Sequence, residues 1–273
     1  MRELERDLPA TTPEATLDAP AAPARLIVIG AGRAGRAIAL AAEASGLDAE
    51  LLGRDVEPDV TDPSRTAVLL CVPDAAIAAA CERVARTLPP AVAVGHVSGA
   101  TTLAALDAAA RAGCSTFSMH PLQTIPAPDT DLTGAPCAIA GSDARALAVA
   151  HELADALGMR PFEVPDEARA AYHAAASMAS NFLVALEESA AELLAEAGVA
   201  NPREALAPLV LRSAANWADS GAAALTGPIA RGDEATVALH LRAVSERAPR
   251  LAPLYEALAQ RTRAIAAERE ESR

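Results

Sequence analysis

The sequence predicts an α/β fold: a doubly wound, parallel sheet domain followed by an all-α C-terminal domain. Three observations predict it. Short apolar runs alternate with helical patterns from Arg25 to Val164, the links between them are short, and after Pro165 only helical periodicity remains. The boundaries expected are a disordered leader over 1–24, a sheet domain over 25–164 and a helical domain over 165–273.

The leader, Met1 to Ala24, is acidic and rich in Pro, Ala and Thr, without the charged start and apolar centre of a secretion signal. Leu26-Ile27-Val28-Ile29 then reads as a buried parallel strand. A helix follows, with Ala34, Ala37, Ile38, Ala41 and Ala42 at helical spacing, and Gly46 ends it. Further strands are expected at Ala49–Leu52, Thr66–Val72 and Ala91–Val97, then near Ser115–Met119, Cys137–Ala140 and Arg160–Val164. Helices are expected from Asp74 to Thr87 and from Thr101 to Ala112.

Beyond Pro165, Asp166 to Ala197 reads as one long helix. Asn201-Pro202 caps and starts a second, Asp233 caps a third, and Pro253–Glu270 forms a fourth.

Composition bounds the function. The 273 residues carry a formal net charge of −13, which argues against a nucleic-acid surface and against docking on anionic lipid. No apolar run reaches membrane-spanning length. All 23 basic residues are arginine, so no lysine chemistry operates. Cys71, Cys81, Cys114 and Cys137 form no Cys-x-x-Cys pair and have no histidine cluster beside them. They read as reduced core residues of a cytoplasmic protein, with no metal site.

The turn Gly30-Ala31-Gly32-Arg33-Ala34-Gly35 lies between a strand and a helix, with a second strand beyond. That context turns a common glycine pattern into a dinucleotide-binding, Rossmann-type one. Gly30 allows the tight turn, Gly32 the approach of a pyrophosphate, and Gly35 close helix–strand packing. At the end of the second strand an acidic residue would favour NAD. Here Leu52-Gly53-Arg54 offers an arginine for a 2′-phosphate, so NADP (as NADPH) is expected, with NAD second because Asp55 adjoins. Val72-Pro73-Asp74 and Ser98-Gly99 close the third and fourth strands, where such folds bind ligands.

Among five histidines, His151 and His240 read as surface, and His96 as core or functional. His120 ends a strand in Ser118-Met119-His120-Pro121-Leu122-Gln123. His173, Ser177 and Asn181 are four apart, a polar stripe that either faces solvent or lines a cleft.

From Arg25 onward these motifs resemble a family of Rossmann-like oxidoreductases that carry the C-terminal domain of unknown function 2520. The resemblance rests on the glycine turn, Val72-Pro73-Asp74, His96-Val97-Ser98-Gly99, His120-Pro121-Leu122-Gln123, His173, Ser180-Asn181 and Asn216. Most specific is Leu225-Thr226-Gly227-Pro228-Ile229-Ala230-Arg231-Gly232-Asp233. That family is similar to ketopantoate reductases, pyrroline-carboxylate reductases and β-hydroxyacid dehydrogenases.

The resemblance implies NADPH-dependent reduction of the C=O of a small 2-keto acid, or alternatively of a C=N bond. A non-catalytic NADP-binding sensor is the reading from another class. β-Hydroxyacid dehydrogenases use a lysine one turn before an asparagine; here Ser177 precedes Asn181, so that mechanism does not carry over. His173 or His120 is then the expected proton donor, with Asn181 orienting the carbonyl and Arg231 holding a carboxylate. The Ala-rich helices are expected to form a homodimer.

Overall fold

A computed structural model describes residues Pro23 to Glu271. The proposed leader lies almost wholly outside the described residues.

The first compact unit, which ends at Ala176, contains a seven-stranded sheet in the order β2-β1-β3-β4-β5-β6-β7. Its strands are β1 (Arg25–Ile29), β2 (Asp48–Leu52), β3 (Thr66–Leu70), β4 (Ala93–His96), β5 (Ser115–Pro121), β6 (Pro136–Gly141) and β7 (Arg160–Glu163). Four helices intervene: α1 (Arg33–Ala44), α2 (Ile77–Ala85), α3 (Asp107–Arg111) and α4 (Ala144–Ala156). The expected helix over Thr101–Ala112 is shorter, a 3-10 turn at Leu103–Leu106 leading into α3.

Side chains of β1 alternate between two apolar clusters. Leu26 and Val28 pack with Ile38 of α1 and Leu153 of α4, while Ile27 and Ile29 pack with Ile77 and Val84 of α2 and Ala109 of α3. Both faces of the sheet are thereby covered, which is what a doubly wound fold requires. Full burial of each such Ile, Leu or Val side chain contributes roughly 1.5–3 kcal/mol.

One expectation is corrected. The sheet is not wholly parallel, because β5 and β6 pair antiparallel, with Phe117 opposite Gly141 and Met119 opposite Ile139. A parallel pair needs a crossover helix. No helix lies between Pro121 and Pro136, so the chain turns back beside β5.

The chain passes from β1 outward to β2, then returns to β3 on the other side of β1. The ends of β1 and β3 therefore flank the point where strand order reverses, the site at which open α/β sheets bind ligands. Here the glycines matter. Gly30 has φ +118°, and a Cβ on it would strike the Cys71 carbonyl. A Cβ on Gly35 would strike the Gly30 carbonyl and approach the Cys71 side chain at 3.1 Å. A Cβ on Gly32 would meet nothing within 4 Å.

The first unit extends past Pro165 because Arg169 to His173, in α5 (Arg169–Ala179), pack against the sheet's loops. The second unit runs Ser177–Arg273. It holds α6 (Asn181–Glu196), α7 (Pro202–Ser220), α8 (Gly227–Ala230), α9 (Glu234–Arg247) and α10 (Ala252–Glu271). The single helix expected over Asp166–Ala197 is interrupted at Ser180, whose backbone (φ −120°, ψ −78°) is not helical. Asp233 caps α9 as expected, accepting from the Thr236 amide at 3.1 Å. Asn201 stands at the cap position of α7, but its side chain makes no capping bond.

Gly35→Val should cost at least about 2 kcal/mol in urea unfolding, since its side chain has no volume to enter. Gly32→Ala, with open space around it, should change stability by less than about 0.5 kcal/mol. Equal effects at the two positions would refute the close-approach account.

Candidate active site

The carboxyl edge of the sheet collects most of the residues singled out from the sequence. The glycine turn follows β1 and leads into α1, whose N-cap is Gly32. No side chain caps that helix, so its first N–H groups are left for another acceptor. Arg36 braces the turn by donating from Nε to the Ala31 carbonyl at 3.0 Å. Exposed helix donors, a positive dipole end and an open position above Gly32 together fit an anionic pyrophosphate.

Arg54 follows β2. Its side chain is 73% exposed and lies 3.7 Å from the still more exposed Asp55 carboxylate. Arg83 donates to the Arg54 carbonyl and holds this loop against α2. An ion pair so exposed is weak and leaves the guanidinium able to turn toward another anion. Val72, Pro73 and Asp74 continue from β3, beside Gly30.

The fourth strand ends in a self-bonded turn. The Ser98 hydroxyl accepts from the Thr101 amide at 3.0 Å and donates to the Thr101 hydroxyl at 2.9 Å. His96 is fully buried at the end of β4. Its Nδ1 accepts the Ser98 amide at 3.2 Å, which places the proton of the neutral ring on Nε2. Burial, then the Arg169 charge, lowers its pKa to about 4.

Two other imidazoles meet over Gly99. A Cβ there would lie 2.8 Å from His173 Cδ2 and 2.9 Å from His120 Nε2. Only glycine lets both rings settle on this turn. The ring centroids of His120 and His173 are 6.1 Å apart. His120 Nδ1 lies 2.7 Å from the Tyr172 hydroxyl. Burial first, then the charges of His173 and Arg169, lowers the His120 pKa to about 4, against an upward pull from Asp74. Burial raises Tyr172 to about 12, so its hydroxyl stays protonated. At neutral pH the site thus presents a neutral His120 held by a phenol, with His173 across the Gly99 turn.

Three residues at this edge were not singled out from the sequence. Arg169 is completely buried, and it donates to the Ser98 carbonyl at 3.0 Å and to the Ser118 hydroxyl. Asp166 lies 3.4 Å from its Nε and accepts the Leu103 amide. Tyr172, the third, meets His120 from α5. The available signal was spacing, since 166, 169, 172 and 173 share one helical face.

Asn181 and Arg231 stand on the second unit. Asn181 is the first residue of α6, and Arg231 follows α8. Because the helix breaks at Ser180, the stripe from His173 through Ser177 to Asn181 is not continuous. His151 is exposed as expected, though with Asp155 3.0 Å away. His240 is also exposed, 2.9 Å from the Tyr255 hydroxyl. All four cysteines are buried and free. Among the described residues no group of three or more His, Cys, Asp or Glu is placed to hold a metal, and no helix is long and apolar enough to cross a membrane.

Fold and edge geometry define a Rossmann-like α/β chain with a helical C-terminal part. Residues 135–262 match the family model described as "Domain of unknown function (DUF2520)". That span begins at β6, so the domain comprises the last two strands as well as most of the helices.

No curated protein matches the chain. Among solved structures it is similar to a proposed NADP oxidoreductase from Bacteroides fragilis (21% identity, 89% of this chain and 98% of that one, TM-score 0.71). A protein from Thermotoga maritima is similar at 22% identity, over 90% of this chain and 99% of that one, with TM-score 0.71. The reductive aminase of Aspergillus terreus, in complex with NADPH and ethyl levulinate, matches at 17% identity over 92% of this chain and 100% of that one, with TM-score 0.62. These likenesses bear out the expected fold.

Acid should expose the buried imidazole. The unfolded chain binds a proton on His96 near pH 6.5, the folded chain only near pH 4. Between those values the unfolded state holds more protons, so the stability due to the neutral ring is present above pH 6.5 and lost as pH falls to 4. The loss is on the order of 3 kcal/mol. Urea unfolding at pH 7 and pH 4 should show wild type losing more stability than His96→Gln by about that amount; parallel losses would refute it.

Proposed function

We propose that this chain is an NADPH-dependent oxidoreductase that reduces the C=O of a small 2-keto acid. The observation that carries the reading is the meeting of His120 and His173 over Gly99, at the carboxyl edge of a sheet whose first turn fits a pyrophosphate. A bound nicotinamide cofactor supplies a hydride. The chain's part is to bind, orient and provide a proton.

The glycine turn from Gly30 through Ala31, Gly32, Arg33 and Ala34 to Gly35 takes the pyrophosphate, and Arg54 the 2′-phosphate. Val72, Pro73 and Asp74 border the cofactor, and Ser98-Gly99 forms the floor beneath the reacting groups. His173 gives its proton to the carbonyl oxygen as the C=O π bond breaks. His120, held neutral, donates a hydrogen bond from Nε2 when Tyr172 donates to its Nδ1. Asn181 orients the carbonyl and Arg231 pairs with the carboxylate. The likeness to NADP-linked structures supports the cofactor, with NAD second.

The likeness to a reductive aminase favours a second reading, reduction of a C=N bond. A neutral His120 suits that substrate as well, because it does not repel a cationic iminium carbon. A sensor that binds NADPH without turnover is the non-enzymatic alternative. A second copy of the chain is the partner proposed for the helical unit, where Leu211 is 71% and Trp217 68% exposed. The cytoplasm is the compartment proposed, from four buried, free cysteines.

NADPH should bind wild type more tightly than NADH, and Arg54→Ala should weaken NADPH alone by about tenfold, roughly 1.4 kcal/mol. With a responsive keto acid, His173→Ala should lower kcat by about a hundredfold while NADPH affinity stays within about twofold. Faster turnover of a cyclic imine than of any keto acid would select the second reading. Tight NADPH binding with no oxidation by either class would leave the sensor.

A further inference from the structure

We infer that Arg169 is a positioning residue of this site: its buried guanidinium ties the ends of β4 and β5 to α5, and so fixes where His120 and His173 stand. Nη1 donates to the Ser98 carbonyl at 3.0 Å, one residue before the Gly99 floor. Nη2 donates to the Ser118 hydroxyl, two residues before His120. Nε lies 3.4 Å from the Asp166 carboxylate, which also accepts the Leu103 amide at 3.0 Å. Three and four residues along the same helix, Tyr172 reaches His120 and His173 rests on Gly99.

One planar group therefore joins the two segments that bear the imidazoles and the Ser98-Gly99 turn on which they rest. Packing alone does not call for it. A fully buried cation is costly even when paired, and an apolar residue of similar volume often serves stability as well or better. What an apolar residue cannot do is hold a carbonyl and a hydroxyl in one plane at fixed separation. A lysine has the charge but not that fork. The guanidinium also brings a positive charge into the interior beside His120, which additionally faces His173, Asp74 and the Tyr172 hydroxyl. That charge acts in the same direction as burial, toward a neutral ring.

The inference rests on the proposed function only in giving the two imidazoles a reaction to serve. Its test needs no turnover. The ring titration of His120 would be followed by NMR in the full chain, for wild type, Arg169→Gln and Arg169→Lys, with thermal unfolding in parallel. Arg169→Gln keeps polar contacts but loses the charge, and its His120 should titrate about one pH unit or more above wild type. Arg169→Lys keeps the charge and should shift His120 less.

A folded Arg169→Gln with His120 titrating as in wild type would overturn the inference, whatever its melting temperature. Failure of both variants to fold would overturn it too, by making Arg169 a requirement of the fold and not of the site. A wild-type chain that binds no NADPH, yet shows the His120 shift, would sink the proposed function and leave this inference standing.

Discussion

The carboxyl edge of the sheet depends on how closely the end of β1 approaches the end of β3. At Gly30 and Gly35 the backbone meets the Cys71 carbonyl and side chain with no volume for a Cβ. That approach forces the chain to leave β1 through a left-handed glycine and to enter α1 with its N-terminus uncapped. It also places Val72 beside the turn. Relaxing the contact by one methyl group would separate helix from strand and dissolve the anion-accepting geometry. Gly32 is different in kind, because its missing side chain leaves space open to solvent. Two glycines serve packing and one serves access, in a single six-residue turn.

The second constraint is dielectric. Charged groups are costly in an interior unless partnered, and this edge buries two imidazoles and a guanidinium close together. The conflict is resolved by leaving the rings neutral. Burial and the Arg169 charge act in the same direction on both His96 and His120. Neutral rings with assigned partners, Ser98 for His96 and Tyr172 for His120, are directional groups. On the proposed reading that directionality is the use of His120, which donates a hydrogen bond to the oxygen that His173 protonates.

Much of this was legible in the sequence, and the reason is locality. The central strands, such as β1 and β3, are short apolar runs with turn signals on either side. The glycine turn carries its own strand and helix within a few residues. Strand direction was not legible at β6, because Cys137 to Ala140 is equally apolar in either sense; only the missing crossover helix after Pro121 sets it. The break at Ser180 was hidden because neither glycine nor proline marks it. Arg169 was the largest omission. An arginine among alanines on a helix reads as a solvated charge, and its partners Ser98 and Ser118 lie 71 and 51 residues away. Nothing local distinguishes it from Arg212, which stays exposed.

The composition gives that omission a further meaning. A chain whose 23 basic residues are all arginine offers no contrast between a functional cation and a background one, so the type of residue carries no information and its environment carries all of it. Two positions then stand apart for opposite reasons. Arg54 is exposed and weakly paired, which on the proposed reading leaves it free to turn toward a phosphate. Arg169 is fully buried, and its effect comes from the carbonyl and hydroxyl that its two terminal nitrogens hold. On the proposed reading the same fork of donors suits the cofactor's outer edge by mobility and the histidine pair by rigidity. A lysine would fit the first task tolerably and the second hardly at all, because only a planar fork can hold a carbonyl and a hydroxyl at once beside a carboxylate.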